Sequence, residues 1–153
     1  MITLSDKEIR ALNEALDDEY RAWATYDQVI RDFGEASPFS HIREAEARHI
    51  EALLTLFARY RLPVPENPWP GKVARYASRQ AACQAGVEAE IANGALYERM
   101  LNATRRPDII RVFHALQAAS RRHLVAFRRC AQRSAGMGAG RGARVRRGGG
   151  GRA

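Results

Sequence analysis

The stretch IREAEARHI, residues 42–50, sits in a segment with helical composition, yet two of its polar residues fall in the apolar row. Ile42, Glu46, His49, Leu53 and Phe57 follow steps of four, three, four and four, which stacks them along one helix face. A face that should be buried therefore carries a carboxylate and an imidazole one turn apart. Either they are boundary residues, or the interior has a use for them.

Working outward, Ser5-Asp6-Lys7-Glu8 reads as a capping box and predicts a first helix that runs to Phe33. Gly34 suits its C-terminus. The inward row of that helix is Leu12, Leu16, Glu19, Trp23, Tyr26 and Ile30. Ser37 predicts the N-cap of a second helix, with Pro38 at its first turn and an end near Tyr60. Prolines at 63, 65, 68 and 70 forbid a helix over 61–72. A third helix is predicted from about Ala74 to Ala103, with the row Cys83, Val87, Glu90, Gly94, Tyr97 and Leu101. A fourth runs from about Pro107 to Arg133, with Ile109, Val112, Phe113, Leu116, Ser120, His123 and Phe127 inward.

Short loops make each of the pairs 1–2 and 3–4 an antiparallel hairpin. The middle connection differs. Helix 2 is roughly 33 Å long at 1.5 Å per residue. The Pro-rich linker of about 12 residues reaches roughly 37 Å in polyproline geometry. It can run the length of the bundle and start helix 3 parallel to helix 2. The predicted fold is all-α, a ferritin-like four-helix bundle with one long crossover.

Every predicted helix carries an inward polar group near its middle: Glu19, then Glu46 with His49, then Glu90, then His123 with Ser120 one turn earlier. Isolated buried charges each cost several kcal/mol unless paired. A cation satisfies them together, and carboxylate with imidazole suits iron, manganese or zinc, as one or two ions. Glu90, Ser120 and His123 lie at matching heights in helices 3 and 4. Glu46 and His49 are offset from Glu19 by three to six residues, roughly 5–9 Å, which the loop from Gly34 to Ser37 must absorb. The plainer alternative is an ion pair of Glu46 with Arg43 or Arg48. His41 and His114 fall off the inward rows. Tyr20, Tyr26 and Tyr97 are read as packing residues, with hydrogen bonding near a metal as the alternative.

The segments DEYRAWATYDQVIRDFG, SPFSHIREAEARHIEALLTLFARYRLPVPENPW, CQAGVEAEIANGALYERML and LQAASRRHLVAFRRC resemble a prokaryotic ferritin-like family of unassigned function, related to rubrerythrin and the ferritins. The resemblance covers about residues 4 to 130. It implies a carboxylate- and histidine-bound metal centre whose ligands match Glu19, Glu46, His49, Glu90 and His123. Glu46 would bridge or chelate, Glu19 and Glu90 would bind terminally, and the two histidines would supply nitrogen. One position departs: Ser120 stands where a second bridging carboxylate belongs. Three carboxylates then face +4 from two divalent ions, which weakens the case for a second metal. The implied activity is oxidation of Fe(II) or reduction of peroxide. The chain lacks a Cys-x-x-Cys iron module, so peroxidase turnover would need an external electron donor.

The net charge of +8 belongs to one end of the 153-residue chain. Residues 131–153 hold six arginines and no acid. Without them, 19 basic residues face 17 acidic ones. The expected organisation is a bundle over 1–133 and a disordered Gly/Arg-rich tail over 134–153. The tail could contact nucleic acid through its charge, and a helical binding module with merely structural inward polar groups is the competing reading. No apolar run spans a membrane and no export signal opens the chain, so a cytoplasmic location is expected. A homodimer is left open. Cys83 and Cys130 should approach within a turn or two, as buried thiols in a reducing cytosol, with a disulfide between them as the alternative.

Overall fold

The computed structural model describes residues 3–140, and among them there are four α-helices and no strand. α1 spans Asp6–Phe33, α2 Phe39–Arg59, α3 Arg79–Met100 and α4 Pro107–Gly140, with a 3-10 turn at Leu101–Ala103. The predicted capping box is in place: Glu8 N donates to Ser5 Oγ at 3.2 Å and Ser5 N to Glu8 Oε1 at 2.9 Å. At the other end of α1, Gly34 takes φ +85°, where a β-carbon would be strained, and donates its N–H to Ile30 O at 2.8 Å.

Three boundaries differ from the expectation. Ser37 does not cap α2; Pro38 occupies the N-cap position and no side chain closes that helix end. α3 begins at Arg79, not Ala74, because Ser78 is extended and its Oγ accepts from Ala81 N at 3.1 Å. α4 runs on past Arg133 to Gly140, so the first residues of the expected tail are helical, and positions 141–153 lie outside the described residues.

Contacts between helices set their directions. Arg43 meets Asp27 at 2.8 Å while Leu12 and Leu16 share a cluster with Leu53 and Phe57, so α1 and α2 are antiparallel. Ser120 meets Glu90, and Gln117 meets Glu98 at 2.9 Å, so α3 and α4 are antiparallel too. The connection over 60–78 starts against α4, where the Tyr60 hydroxyl donates to Asp108 Oδ2 at 2.6 Å, and then follows α1: Trp69 Nε1 donates to Asp17 Oδ1 at 2.9 Å and Arg75 Nε to Asp32 Oδ2 at 3.1 Å, and Arg79 at the start of α3 donates to Phe33 O at 3.1 Å. Arg21 lies over the Trp69 ring at 5.2 Å.

The apolar interior is in two parts. One holds Leu12, Leu16, Leu53, Phe57, Tyr97 and Phe113; the other holds Tyr26, Ile30, Phe39, Ile42, Val87 and Phe127. Between them lies a layer of buried polar side chains from all four helices. Trp23, predicted inward, is only half-buried.

Cys83 and Cys130 are joined by a disulfide with Cα atoms 5.8 Å apart, in place of the expected thiols. The expectation leaned on compartment, whereas the antiparallel α3–α4 pairing puts the two Cα atoms within bonding range. With a sequence separation of 47 residues, the chain-entropy account assigns such a link about 4 kcal/mol.

Gly86 is the point where α3 lets Phe127 in. A β-carbon there would stand 2.7 Å from the ring, which is itself wedged against Tyr26 at 5.3 Å and Phe39 at 5.4 Å. Alanine favours a helix interior over glycine by about 1 kcal/mol, but overpacking costs about 1–3 kcal/mol. Gly86→Ala should therefore lower the free energy of urea unfolding by about 1 kcal/mol net; an unchanged or higher value would mean the ring has room to move.

Candidate metal centre

The polar layer assembles the residues singled out from the inward rows. Glu19, Glu46 and Glu90 are each no more than 2 % exposed and His123 is 8 % exposed, while His49 is half-buried. His49 Nδ1 lies 3.1 Å from Glu46 Oε2 and 3.4 Å from Glu19 Oε2. His123 Nδ1 lies 3.3 Å from Glu46 Oε1 and 3.5 Å from Glu90 Oε1. The result is two triads, Glu19–Glu46–His49 and Glu46–Glu90–His123, each with ligating atoms within 4.8 Å of one another. Glu46 belongs to both, offering a different oxygen to each. The two imidazoles stack with centroids 6.0 Å apart.

The offset foreseen between α1 and α2 does not keep Glu19 from its partners: the connection after Gly34 and the length of the side chains absorb it. Arg43 does not neutralise Glu46; it binds Asp27 and leaves the centre to its own residues. His41 and His114 are exposed and take no part.

Three neighbours hold the outer carboxylates. Tyr97 donates its hydroxyl to Glu19 Oε1 at 2.6 Å, and Tyr26 to Glu90 Oε1 at 2.9 Å. Ser120 Oγ lies 2.7 Å from Glu90 Oε2 and 3.0 Å from the Glu90 carbonyl. Tyr26 and Tyr97 both pack in the core and bond to the acids, so the packing reading and its hydrogen-bonding alternative hold together. Ser120 thus holds Glu90 from the α4 side through two contacts. Glu19 Oε2 has no hydrogen-bond partner although it is buried. A buried acceptor left alone is costly, and a cation in the first triad would relieve it.

Protons carry the charge balance of the metal-free layer. Burial, and next the negative charge of Glu46, push the Glu19 carboxyl well above its ordinary range. Glu46 goes the other way. Burial opposes its charge, but Glu19, His123 and His49 hydrogen-bond around it and hold it well below the usual carboxylate range. For His123 burial again opposes the charge, and contacts with Glu46 and Glu90 prevail, raising it to about 9. Burial, then the charges of Glu46 and Glu90, push Asp18 up to about 7. Asp18 was missed because it lies beside the inward row, not in it.

No protein-family model matches the chain, and no curated protein does. Among solved structures it is similar to hypothetical protein MJ0754 from Methanococcus jannaschii DSM 2661, with a TM-score of 0.79 and 25 % identity over 88 % of this chain and 85 % of that one. That likeness supports the helical architecture.

A raised His123 stabilises the metal-free fold fully below the unfolded value near 6.5, and the contribution is lost as pH rises through about 9. The shift corresponds to roughly 3 kcal/mol at most. Metal-free protein should lose stability between about pH 7 and pH 9.5 in denaturant titrations. His123→Gln should flatten that decline, and an equal decline in the variant would assign it to other groups.

Proposed function

We propose that this chain is a ferritin-like metal-binding protein whose bundle core holds iron, or alternatively manganese or zinc, through Glu19, Glu46, His49, Glu90 and His123. One observation carries the reading: two carboxylate–imidazole triads share a single buried glutamate at the level where all four helices meet. Such a group of acids in an apolar interior is explained poorly by stability and well by a cation. The topology proposed with it has residues 60–78 as the long crossover. Its support is the succession of contacts from Trp69 at Asp17 to Arg75 at Asp32, which advances along α1.

When bound, iron at such a site supplies one-electron redox chemistry toward oxygen or peroxide, so the proposed activity is oxidoreductase, either Fe(II) oxidation or peroxide reduction with an external donor. The chain's own contributions are positional. Glu46 spans both triads, Tyr97 and Tyr26 orient the outer carboxylates, and Ser120 holds Glu90 in place. His123 must give up its proton before it can ligate, so occupancy should rise with pH. With only three carboxylates for the two triads, a second ion would be held less tightly than the first.

Protein purified with iron, manganese and zinc all supplied should contain one to two bound ions per chain by elemental analysis. Glu46→Ala should lose all of them, since both triads need it. Glu19→Ala should lose only the share held beside His49. Full metal content in Glu46→Ala would overturn the assignment.

A second reading has its own observation. Arg111, Arg121, Arg122, Arg128, Arg129 and Arg133 of α4 are all exposed. The arginine ion pairs of the described residues are made by Arg31, Arg43, Arg59, Arg75, Arg99 and Arg106 instead. Arg111, Arg122 and Arg129 fall in one row at 100° per residue, roughly 27 Å long. We infer that this row, with the basic residues after it, binds nucleic acid. DNA affinity should then fall steeply with salt, and Arg122→Glu with Arg129→Glu should reduce the logarithmic slope by about 2. Absence of binding at low salt would end this reading.

A further inference from the structure

α1 and α3 leave an open cavity between them of about 180 Å³. Much of its α3 wall is Ala82, Ala85, Gly86 and Ala89, which carry no side chain beyond a β-carbon and leave the gap clear. Asn93, Glu90 and Tyr26 border it as well, and the Tyr26 hydroxyl donates to Glu90 Oε1 at 2.9 Å. Glu90 and Tyr26 therefore belong both to the cavity wall and to the polar layer. The cavity ends where the metal centre begins.

Outward, the cavity adjoins a second, more open hollow in the same groove, bordered by Glu14, Asp17, Ala95 and Leu96. Asp18 and Ala92 border both spaces, so Asp18 stands at their junction. Glu14 and Asp17 are exposed and already paired, with Arg99 at 3.0 Å and Trp69 at 2.9 Å. They contribute charge rather than a binding site. Arg21 brings one positive charge to the wall, held over the Trp69 ring. Against it stand the carboxylates of Asp18 and Glu90, and a cleft of mostly one sign gathers counter-ions.

We propose that this cavity is the route by which divalent cations enter the centre, guided past Asp18 and met first by Glu90. The inference rests on the metal reading and adds the door to it. An ion pays heavily if it loses its whole water shell at one step. The cavity has room for several waters, so the ion keeps part of that shell until carboxylate oxygens replace it. The alanine wall matters by its low profile, and Asp18 guides without ligating. The competing way in is past His49, the half-buried ligand on α2.

The probe is Co(II), followed by its visible absorbance in stopped flow with full-length, metal-free protein at pH 8. Ala89→Phe narrows the cavity from an exposed position on α3. It should slow Co(II) uptake, and release to a chelator, about tenfold each. Because a door acts on both rates alike, the equilibrium affinity should stay unchanged. Asp18→Asn should slow uptake about threefold and weaken its dependence on salt. Ala118→Leu, on the exposed face of α4, should load at the normal rate. If Ala89→Phe loses helicity, Ala89→Leu takes its place. Unchanged uptake in either cavity variant, or equal slowing by Ala118→Leu, would overturn the proposal. Failure of the unmodified chain to bind Co(II) removes the metal reading and this route together, whereas normal binding with unchanged rates in Ala89→Phe removes the route alone.

Discussion

Burying Glu46 is the constraint around which the bundle is arranged. Its carboxylate is 1 % exposed, and an ion of that size pays several kcal/mol for leaving water unless opposite charge and hydrogen bonds surround it. Here the answer comes from its own helix and from two others at once. His49, one turn along α2, faces one oxygen, His123 on α4 faces the other, and Glu19 approaches from α1. Because the partners of this one side chain come from separate helices, its satisfaction fixes their relative heights. The two apolar clusters then pack above and below this layer as separate units.

The same layer explains why the neighbouring tyrosines are buried with their hydroxyls. Glu19 and Glu90 each need an outer partner, and Tyr97 and Tyr26 reach them from the opposing helix. The aromatic rings meanwhile fill core volume, Tyr97 against Phe113 at 5.9 Å and Tyr26 against Phe127 at 5.3 Å. Each tyrosine therefore links an apolar cluster to the polar layer. Ser120 plays the corresponding part on α4, where a carboxylate would have added a fourth negative charge to a site with few positive ones.

Much of this could be read along the chain. Periodicity placed Glu19, Glu46, Glu90 and His123 on inward faces, and all four are buried. Capping chemistry located both ends of α1, where Ser5, Glu8 and Gly34 act through neighbours three or four residues away. The misses have separate physical causes. The start of α3 depends on the Ser78 cap, which lies beyond the Pro-rich stretch and has no glutamate three residues on to complete a capping box. The cysteine pair was judged by compartment, although distance across the α3–α4 pair governs bonding. Asn93 and Asp18 lie just off the predicted rows, since a helix of 3.6 residues per turn buries a stripe wider than a single line.

By itself the sequence determined that there are four helices, where most of them begin, and which polar side chains turn inward, because those properties depend on contacts within a turn or two of each residue. Only the tertiary structure decided that Glu46 is shared between two triads, that Tyr26 and Tyr97 serve the outer acids, and that an open space remains between α1 and α3. Those outcomes depend on the height and spacing of helices far apart in the chain. That register is set by packing and by the pairing of buried charge, neither of which is written in any local run of residues.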